Sequence, residues 1–288
     1  MKAYLDIVRN VLGNGTVTKS RTGTDAIAIA GAMFEHDMAE GFPLLTTKKV
    51  PFRLVASELE FFIKGMTDKQ WLIDNDNHIW DDWASQDIVA YGHEPETKKK
   101  MLESRELGPI YGWQWRHFGA RYITYDRKPE GNGVDQLTEL ARKLKEKAYD
   151  RRMLVTAWNP ADNKRMALPP CHYAFQITVI GNRLNLMWSQ RSVDVALGLP
   201  FNIASYGLLL HLLAKEANLR EGRLVGFLGD THVYVNHADG LQQQAKRTPF
   251  KLPEIKTENF TSIFDWGYKD TKADNYQHHP SIKFEIAV

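Results

Sequence analysis

The order of apolar and polar positions along the chain predicts helices and strands mixed in one continuous run. The opening segment MKAYLDIVRNVL carries Leu5, Val8, Val11 and Leu12 at helical spacing, and Gly13-Asn14-Gly15 follows as a stop signal. RTGTDAIAIAGAMFEHDM alternates apolar and small residues in the manner of a hairpin. Pro51 is placed to open a second helix, PFRLVASELEFFIKG, which Gly65 closes. GVDQLTELARKLKEKAYD sets Val134, Leu137, Ala141 and Leu144 at helical spacing, and RRMLVTAWNP reads as a short strand opening on Arg151 and Arg152.

MALPPCHYAFQITVIGNRLNLMWSQRSVD predicts a hairpin turned at Gly181-Asn182. IASYGLLLHLLAKEANL is apolar on most faces, which predicts a buried central helix. RLVGFLGDTHVYVNH reads as a strand running into a helix, and the tail beyond Pro253 is strand-like. Residues 85–105 are polar and include Lys98-Lys99-Lys100, so they are expected to form an exposed insertion with a solvated lysine face. No repeat, linker or low-complexity tract divides the chain. The expectation is a single α+β domain over residues 1–288.

Composition narrows the class. The chain is 43% hydrophobic and 25% charged, as in a soluble globular protein, and its formal charge of +2 is too small to argue for nucleic-acid binding. No apolar run approaches the ~20 residues that span a bilayer, and the first helix lacks a signal-peptide core. A single cysteine, Cys171, excludes an intrachain disulfide framework and suits a reducing cytosol. The expected compartment is the cytoplasm.

That cysteine is either buried filler or a nucleophile. A strict two-residue turn at 181–182 puts Ser192 opposite Cys171 and Arg191 opposite His172, so an ideal ladder turns Arg191 away from the sulfur. A β-bulge between residues 171 and 192 would bring the two together, and bulges are common beside active sites. A thiol near a guanidinium is partly ionised, and the same cation suits an anionic substrate, a phosphate above all. His172 is poorly placed as a hydrolase base, because adjacent strand residues point to opposite faces.

RTGT, GFPLLTTKK, HIWDDW, LGPIYGWQWRHFG, ALPPCH, QRSVDVALGLPFNIASY and GDTHVYVNH, in this order, together resemble thymidylate synthase from the first helix to the terminal AV. The resemblance implies a large bulged mixed sheet with a long buried central helix, the sheets of two chains packing face to face in a homodimer. It also implies reductive methylation of dUMP to dTMP, with 5,10-methylenetetrahydrofolate as the cosubstrate that supplies both carbon and hydride. No metal, membrane or nucleic acid is required.

Cys171 matches the thiolate that adds to uracil C6. Arg21, Arg191, Gln190 and Ser192 match the nucleotide site, with Arg151 and Arg152 donated by the other subunit to the phosphate. Asn202 matches the residue that reads the uracil edge, although its place after Pro200-Phe201 and ahead of IASYGLLL by itself predicts a helix N-cap. His232 and Tyr234 match groups on the deoxyribose 3′-hydroxyl. Glu58 matches a glutamate that organises proton transfer near O4; an apolar helix there should raise its pKa. Tyr111 matches a tyrosine placed for proton removal at C5, and His172 is carried over beside the nucleophile. Ile79, Trp80, Trp83, Leu197, Gly198 and Phe201 match the walls of the folate pocket. Asp194 matches the pterin-binding carboxylate, Lys48 a lysine near the glutamyl tail, and Val288 the terminal residue that closes the site.

Trp113 and Ser189 depart from the family pattern, and so does Glu60. Glu60 completes a Glu-Leu-Glu that resembles the one in the phage deoxycytidylate hydroxymethylases, which share this fold. It makes a dUMP hydroxymethylase the alternative activity. An alternative from another class is a catalytically silent RNA-binding or scaffold paralogue.

Overall fold

A computed structural model describes residues 1–20, 23–92 and 94–285 of the chain. Its regular elements are α1 (Lys2–Asn14), β1 (Thr16–Thr18), β2 (Ala26–Asp37), α2 (Phe52–Ile63), α3 (Lys69–Asp74), α4 (Pro95–Glu103), α5 (Tyr111–His117) and α6 (Gln136–Glu146). They continue with β3 (Leu154–Thr156), β4 (His172–Ile180), β5 (Arg183–Asp194), α7 (Gly198–Glu216), β6 (Arg220–Tyr234), α8 (Ala238–Ala245), β7 (Glu254–Thr257) and β8 (Thr271–Asp274). A six-stranded sheet runs β1-β2-β6-β5-β4-β3, and β7-β8 forms a separate pair. β5 and β6 are parallel and the other neighbours antiparallel, so the sheet is mixed and the fold is α+β.

Parallel neighbours need a long crossover, and α7 is that crossover. Leu208, Leu209, Leu210, Leu212 and Leu213 are all buried, and consecutive positions on a helix face every direction. The helix therefore lies in the core, between the sheet and α2. β5 sends Leu184, Leu186, Trp188 and Gln190 into that core in strict alternation. Trp188 lies against Gly226 of β6, where a Cβ would come within 2.4 Å of the indole; only glycine leaves the ring this space. On the opposite face Met33 and Phe227 pair across β2 and β6 and are about half exposed.

Several local expectations change. RTGTDAIAIAGAMFEHDM forms no hairpin of its own: residues 26–37 are one strand, templated along its length by β6. Alternation looks the same in one long strand as in two short ones. Val134, expected in the helix, lies outside α6 and is bridged to Phe118, and Asp135 caps α6 by accepting from the Thr138 N–H at 2.9 Å. Asn202 is no N-cap, because α7 already begins at Gly198 and the Asp194 carboxylate takes up the Ala196 and Leu197 N–H groups.

The tail supplies β7 and β8, but residues 281–285 join no strand. The 85–105 segment carries α4 with Lys98, Lys99 and Lys100 exposed, while Met101 is buried. Lys69 ties that segment to the stretch before it: its ammonium donates to the carbonyls of Asp81, Trp83 and Met101 at 3.0, 3.0 and 2.7 Å. Among the described residues no helix is long and apolar enough to cross a membrane.

Candidate active site

The predicted bulge is present, in β4 between His172 and Ala174. It shifts the register so that His172 faces Gln190, and the Arg191 N–H donates to the Cys171 carbonyl at 2.9 Å. Arg191 and Cys171 are thereby brought to the same level. The guanidinium donates to the carbonyls of Pro170 and Pro169 at 2.9 and 2.8 Å, which holds Nη2 4.0 Å from Sγ. The proline pair ahead of the cysteine thus supplies acceptors that aim the arginine. Below, the Tyr111 hydroxyl accepts from the Cys171 N–H at 2.8 Å and fixes the backbone that carries the sulfur.

Cys171 and Arg191 open onto a cavity of about 240 Å³ with Ser192, His232 and Tyr234 on its wall. Lys19 and Ser20 line it from the β1–β2 connection. These two are additions to the residues read from sequence; the signal available was a lysine and a serine just ahead of the RTGT motif. Asp230 also reaches the wall, and its carboxylate holds His232 through Nδ1 at 2.8 Å. Two cations, hydroxyls and an imidazole around one thiol suit an anionic ligand that also carries alcohol groups.

Gln190 and Asn202 sit on the core side of the strand end. Gln190 is buried and its amide is fully engaged: Oε1 accepts from Trp188 Nε1 at 3.2 Å, and Nε2 donates to the Ser192 carbonyl and to Asn202 Oδ1, both at 3.0 Å. Gln190 thus meets Asn202, and Asn202 is the free end of this chain of amides.

Glu58 on α2 accepts from Trp80 Nε1 at 2.8 Å, and burial pushes its carboxyl up to about 7, as expected for an apolar helix. Tyr111 is likewise raised well above the usual phenol, chiefly by burial, so it stays protonated at neutral pH. His172 stacks on Tyr111 with ring centroids 4.2 Å apart, and its Nδ1 meets the Tyr206 hydroxyl at 2.9 Å. Burial pushes its pKa down to about 3, so the imidazole is neutral and the cation beside the thiol is Arg191. Glu60 is two positions from Glu58 and so on another face of α2. It accepts from the Tyr268 N–H at 2.7 Å and pairs with Lys64, away from Glu58 and Trp80.

Asp194 stands at the β5 end with Oδ1 on the N–H groups of Ala196 and Leu197. Leu197, Gly198 and Phe201 follow on the first turns of α7, each partly accessible. Trp80 is buried, whereas Ile79 and Trp83 are partly accessible, and Trp83 stacks on Tyr91 at 5.8 Å. Lys48 is buried. Its Nζ donates to the Ala196 carbonyl at 2.5 Å and lies 4.8 Å from the Phe284 ring, and burial lowers its pKa to about 8. It braces the start of α7 more than it faces solvent.

Arg151 and Arg152 are not brought to the cavity. They are exposed on a separate depression with Lys147 and Tyr149, and Arg152 pairs with Asp150. The Arg151 carbonyl meets Gln176, further along β4 and roughly 16 Å from Cys171 at extended-strand rise. Arg21 and Val288 lie outside the described residues.

The mixed sheet and its bulge define a protein that presents one thiol beside an arginine in a polar, cation-lined pocket, which is the equipment of covalent nucleophilic catalysis on an anionic substrate. Comparison with known proteins narrows that class. The family described as thymidylate synthase matches residues 2–288. Thymidylate synthase of Mycoplasma pneumoniae is 40% identical over 300 aligned positions, and that of Listeria monocytogenes serotype 4a 39% over 322, each covering 100% of both chains. The bifunctional dihydrofolate reductase-thymidylate synthase of Paramecium tetraurelia is 42% identical over 99% of this chain, which spans 61% of that relative. The chain belongs to the thymidylate synthase family.

Proposed function

We propose that this chain, as a single catalytic domain, converts dUMP to dTMP with 5,10-methylenetetrahydrofolate. The observation that carries the reading is the bulge-aligned pair, with the Arg191 guanidinium 4.0 Å from the Cys171 sulfur inside a cavity fit for an anion. The Cys171 thiolate adds to uracil C6, and C5 thereby gains the electron density to form a carbon–carbon bond. The folate supplies the one-carbon unit and then the hydride that makes it a methyl group, leaving as dihydrofolate. Loss of the C5 proton and departure of the sulfur from C6 restore the ring and the free thiol.

The remaining residues bind and move protons. Arg191, Ser192, Arg21 and Lys19 hold the phosphate end, and His232 and Tyr234 hold the sugar. Asn202 pairs with the uracil edge, its amide accepting from N3–H and donating to O4. Glu58, with a carboxyl near 7, exchanges a proton with O4 through water in either direction at neutral pH. Tyr111 keeps its proton and relays rather than strips the one at C5, while orienting the Cys171 backbone. The accessible carboxylate edge of Asp194 fits adjacent pterin N–H donors, and Ile79, Trp80, Trp83, Leu197, Gly198 and Phe201 wall the folate. Val288 closes over it.

Catalysis requires a homodimer in this reading. The apolar outer face of the sheet, with Met33 opposite Phe227, supports a partner packed there, and Arg151 and Arg152 then serve the partner's phosphate site rather than their own. A lone cysteine fits a reducing cytoplasm. Glu60 lends no support to a hydroxymethylase, because its carboxylate is consumed by Lys64 and Tyr268. The test is product analysis on purified protein with dUMP and the folate: dTMP with dihydrofolate is expected. 5-Hydroxymethyl-dUMP with tetrahydrofolate, or no product, would overturn the reading.

A further inference from the structure

An amide side chain is ambiguous until its neighbours decide which end is oxygen. At the end of β5 the decision is forced. The Trp188 indole can only donate, and the Ser192 main-chain carbonyl can only accept. Gln190 lies between them, so Oε1 must face the indole at 3.2 Å and Nε2 must face the carbonyl at 3.0 Å. The same Nε2 points its other hydrogen at Asn202, so the Asn202 atom 3.0 Å away must be Oδ1. The amide of Asn202 therefore stands one way round, with Nδ2 on the side away from Gln190.

The start of this relay is rigid. Trp188 is fully buried, stacked on Tyr206 with centroids 5.3 Å apart and planes at 9°, and lodged against Gly226, where no side chain exists to displace it. Gln190 is buried too, so turning it over would leave an indole N–H and a carbonyl without partners in a place water does not reach.

We propose that Trp188 and Gln190 are positioning residues that fix the orientation of the Asn202 amide and thereby make the site prefer a uracil edge to a cytosine edge. The inference rests on the reading that Asn202 faces the base of a nucleotide held at Cys171. Uracil offers N3–H and the O4 acceptor, whereas cytosine offers the N3 acceptor and an N4–H donor, the reverse order. A free asparagine serves either by turning over. A base tethered through C6 and anchored by its phosphate cannot turn to compensate, so a locked amide selects one of them.

The test is calorimetric binding of dUMP and dCMP to the wild-type chain, Gln190→Glu and Trp188→Phe. The carboxylate of Gln190→Glu accepts where Nε2 donated, so Asn202 turns Nδ2 toward it. The dUMP-to-dCMP affinity ratio should fall about tenfold or more. Trp188→Phe keeps the ring stack and removes only the donor; the ratio should fall in the same direction by less, because Ser192 still holds one end. If Gln190→Glu does not fold, Trp188→Phe decides alone. A ratio unchanged from wild type, including equal loss of both affinities, overturns the inference while leaving Asn202 as the base reader. A wild-type protein with no preference for dUMP sinks the reading of Asn202 itself and the relay with it.

Discussion

Arg191 stands across the strand pair from Cys171, with Nη2 4.0 Å from the sulfur, because β4 accommodates one extra residue between His172 and Ala174. In an unbulged ladder the arginine would face His172 and point to the other side of the sheet. A one-residue irregularity therefore makes the difference between an arginine on the opposite face of the sheet and an arginine beside the sulfur.

Replacing the nucleophile should separate binding from chemistry. Cys171→Ser is expected to lower kcat by at least about 1,000-fold, since a hydroxyl is a far weaker nucleophile at neutral pH, with dUMP affinity changed little. Steady-state turnover and equilibrium dUMP binding check both halves; normal turnover would remove Cys171 from the mechanism.

Glu58 links activity to stability. Its folded-state pKa of about 7 lies above the ordinary 4.5, so the native state holds this proton more tightly than the unfolded chain. The associated stability is complete below about pH 4.5 and is lost as pH rises through 7. Glu58→Gln should match wild type in acid and exceed it above pH 8 by roughly 1–3 kcal/mol, while losing activity. Melting temperatures from pH 4 to 9 test the sign; a variant less stable than wild type at pH 8 would count against an ionised, poorly solvated carboxylate.

The phosphate site is expected to be shared. Arg151→Glu should weaken dUMP binding about tenfold or more in the homodimer. Mixed dimers of Arg151→Glu and Cys171→Ser subunits should regain activity, because one of their sites combines an intact cysteine with an intact partner arginine. Absence of recovery in verified mixed dimers would place the arginines outside the site.

Lys69 serves the wall expected to hold folate without touching it. Lys69→Met leaves the Asp81, Trp83 and Met101 carbonyls without their common donor and should destabilise the fold by roughly 2–4 kcal/mol. At permissive temperature the folate KM should rise more than the dUMP KM, since Ile79, Trp80 and Trp83 adjoin those carbonyls. Equal rises in both constants would argue against a local effect.

Much of the site was legible in the chain because its parts are contiguous. ALPPCH and QRSVDVALGLPFN place cysteine, arginine, aspartate and asparagine on one hairpin and the helix after it, and Gly181-Asn182 sets their register to within one residue. Glu58 in an apolar helix announced a raised pKa, and the structure bears that out. Other features were not legible. Glu60 matched a pattern with functional meaning, but whether its carboxylate reaches a site depends on Tyr268, more than two hundred residues away in sequence. Alternation in residues 26–37 does not distinguish one strand from two, since only β6 decides where pairing continues.

The sequence by itself determined most of the elements, the buried central helix, the family and the inventory of reactive groups, because periodicity, turn residues and motifs are local properties of a chain. The tertiary structure alone decided what each group faces. It put Arg191 beside the sulfur, sent Glu60 away, engaged Lys48 with Ala196, and joined Trp188, Gln190 and Asn202 into one directional relay. Hydrogen-bond direction and burial depend on neighbours contributed by distant segments, and these meet only once the sheet has closed on α7.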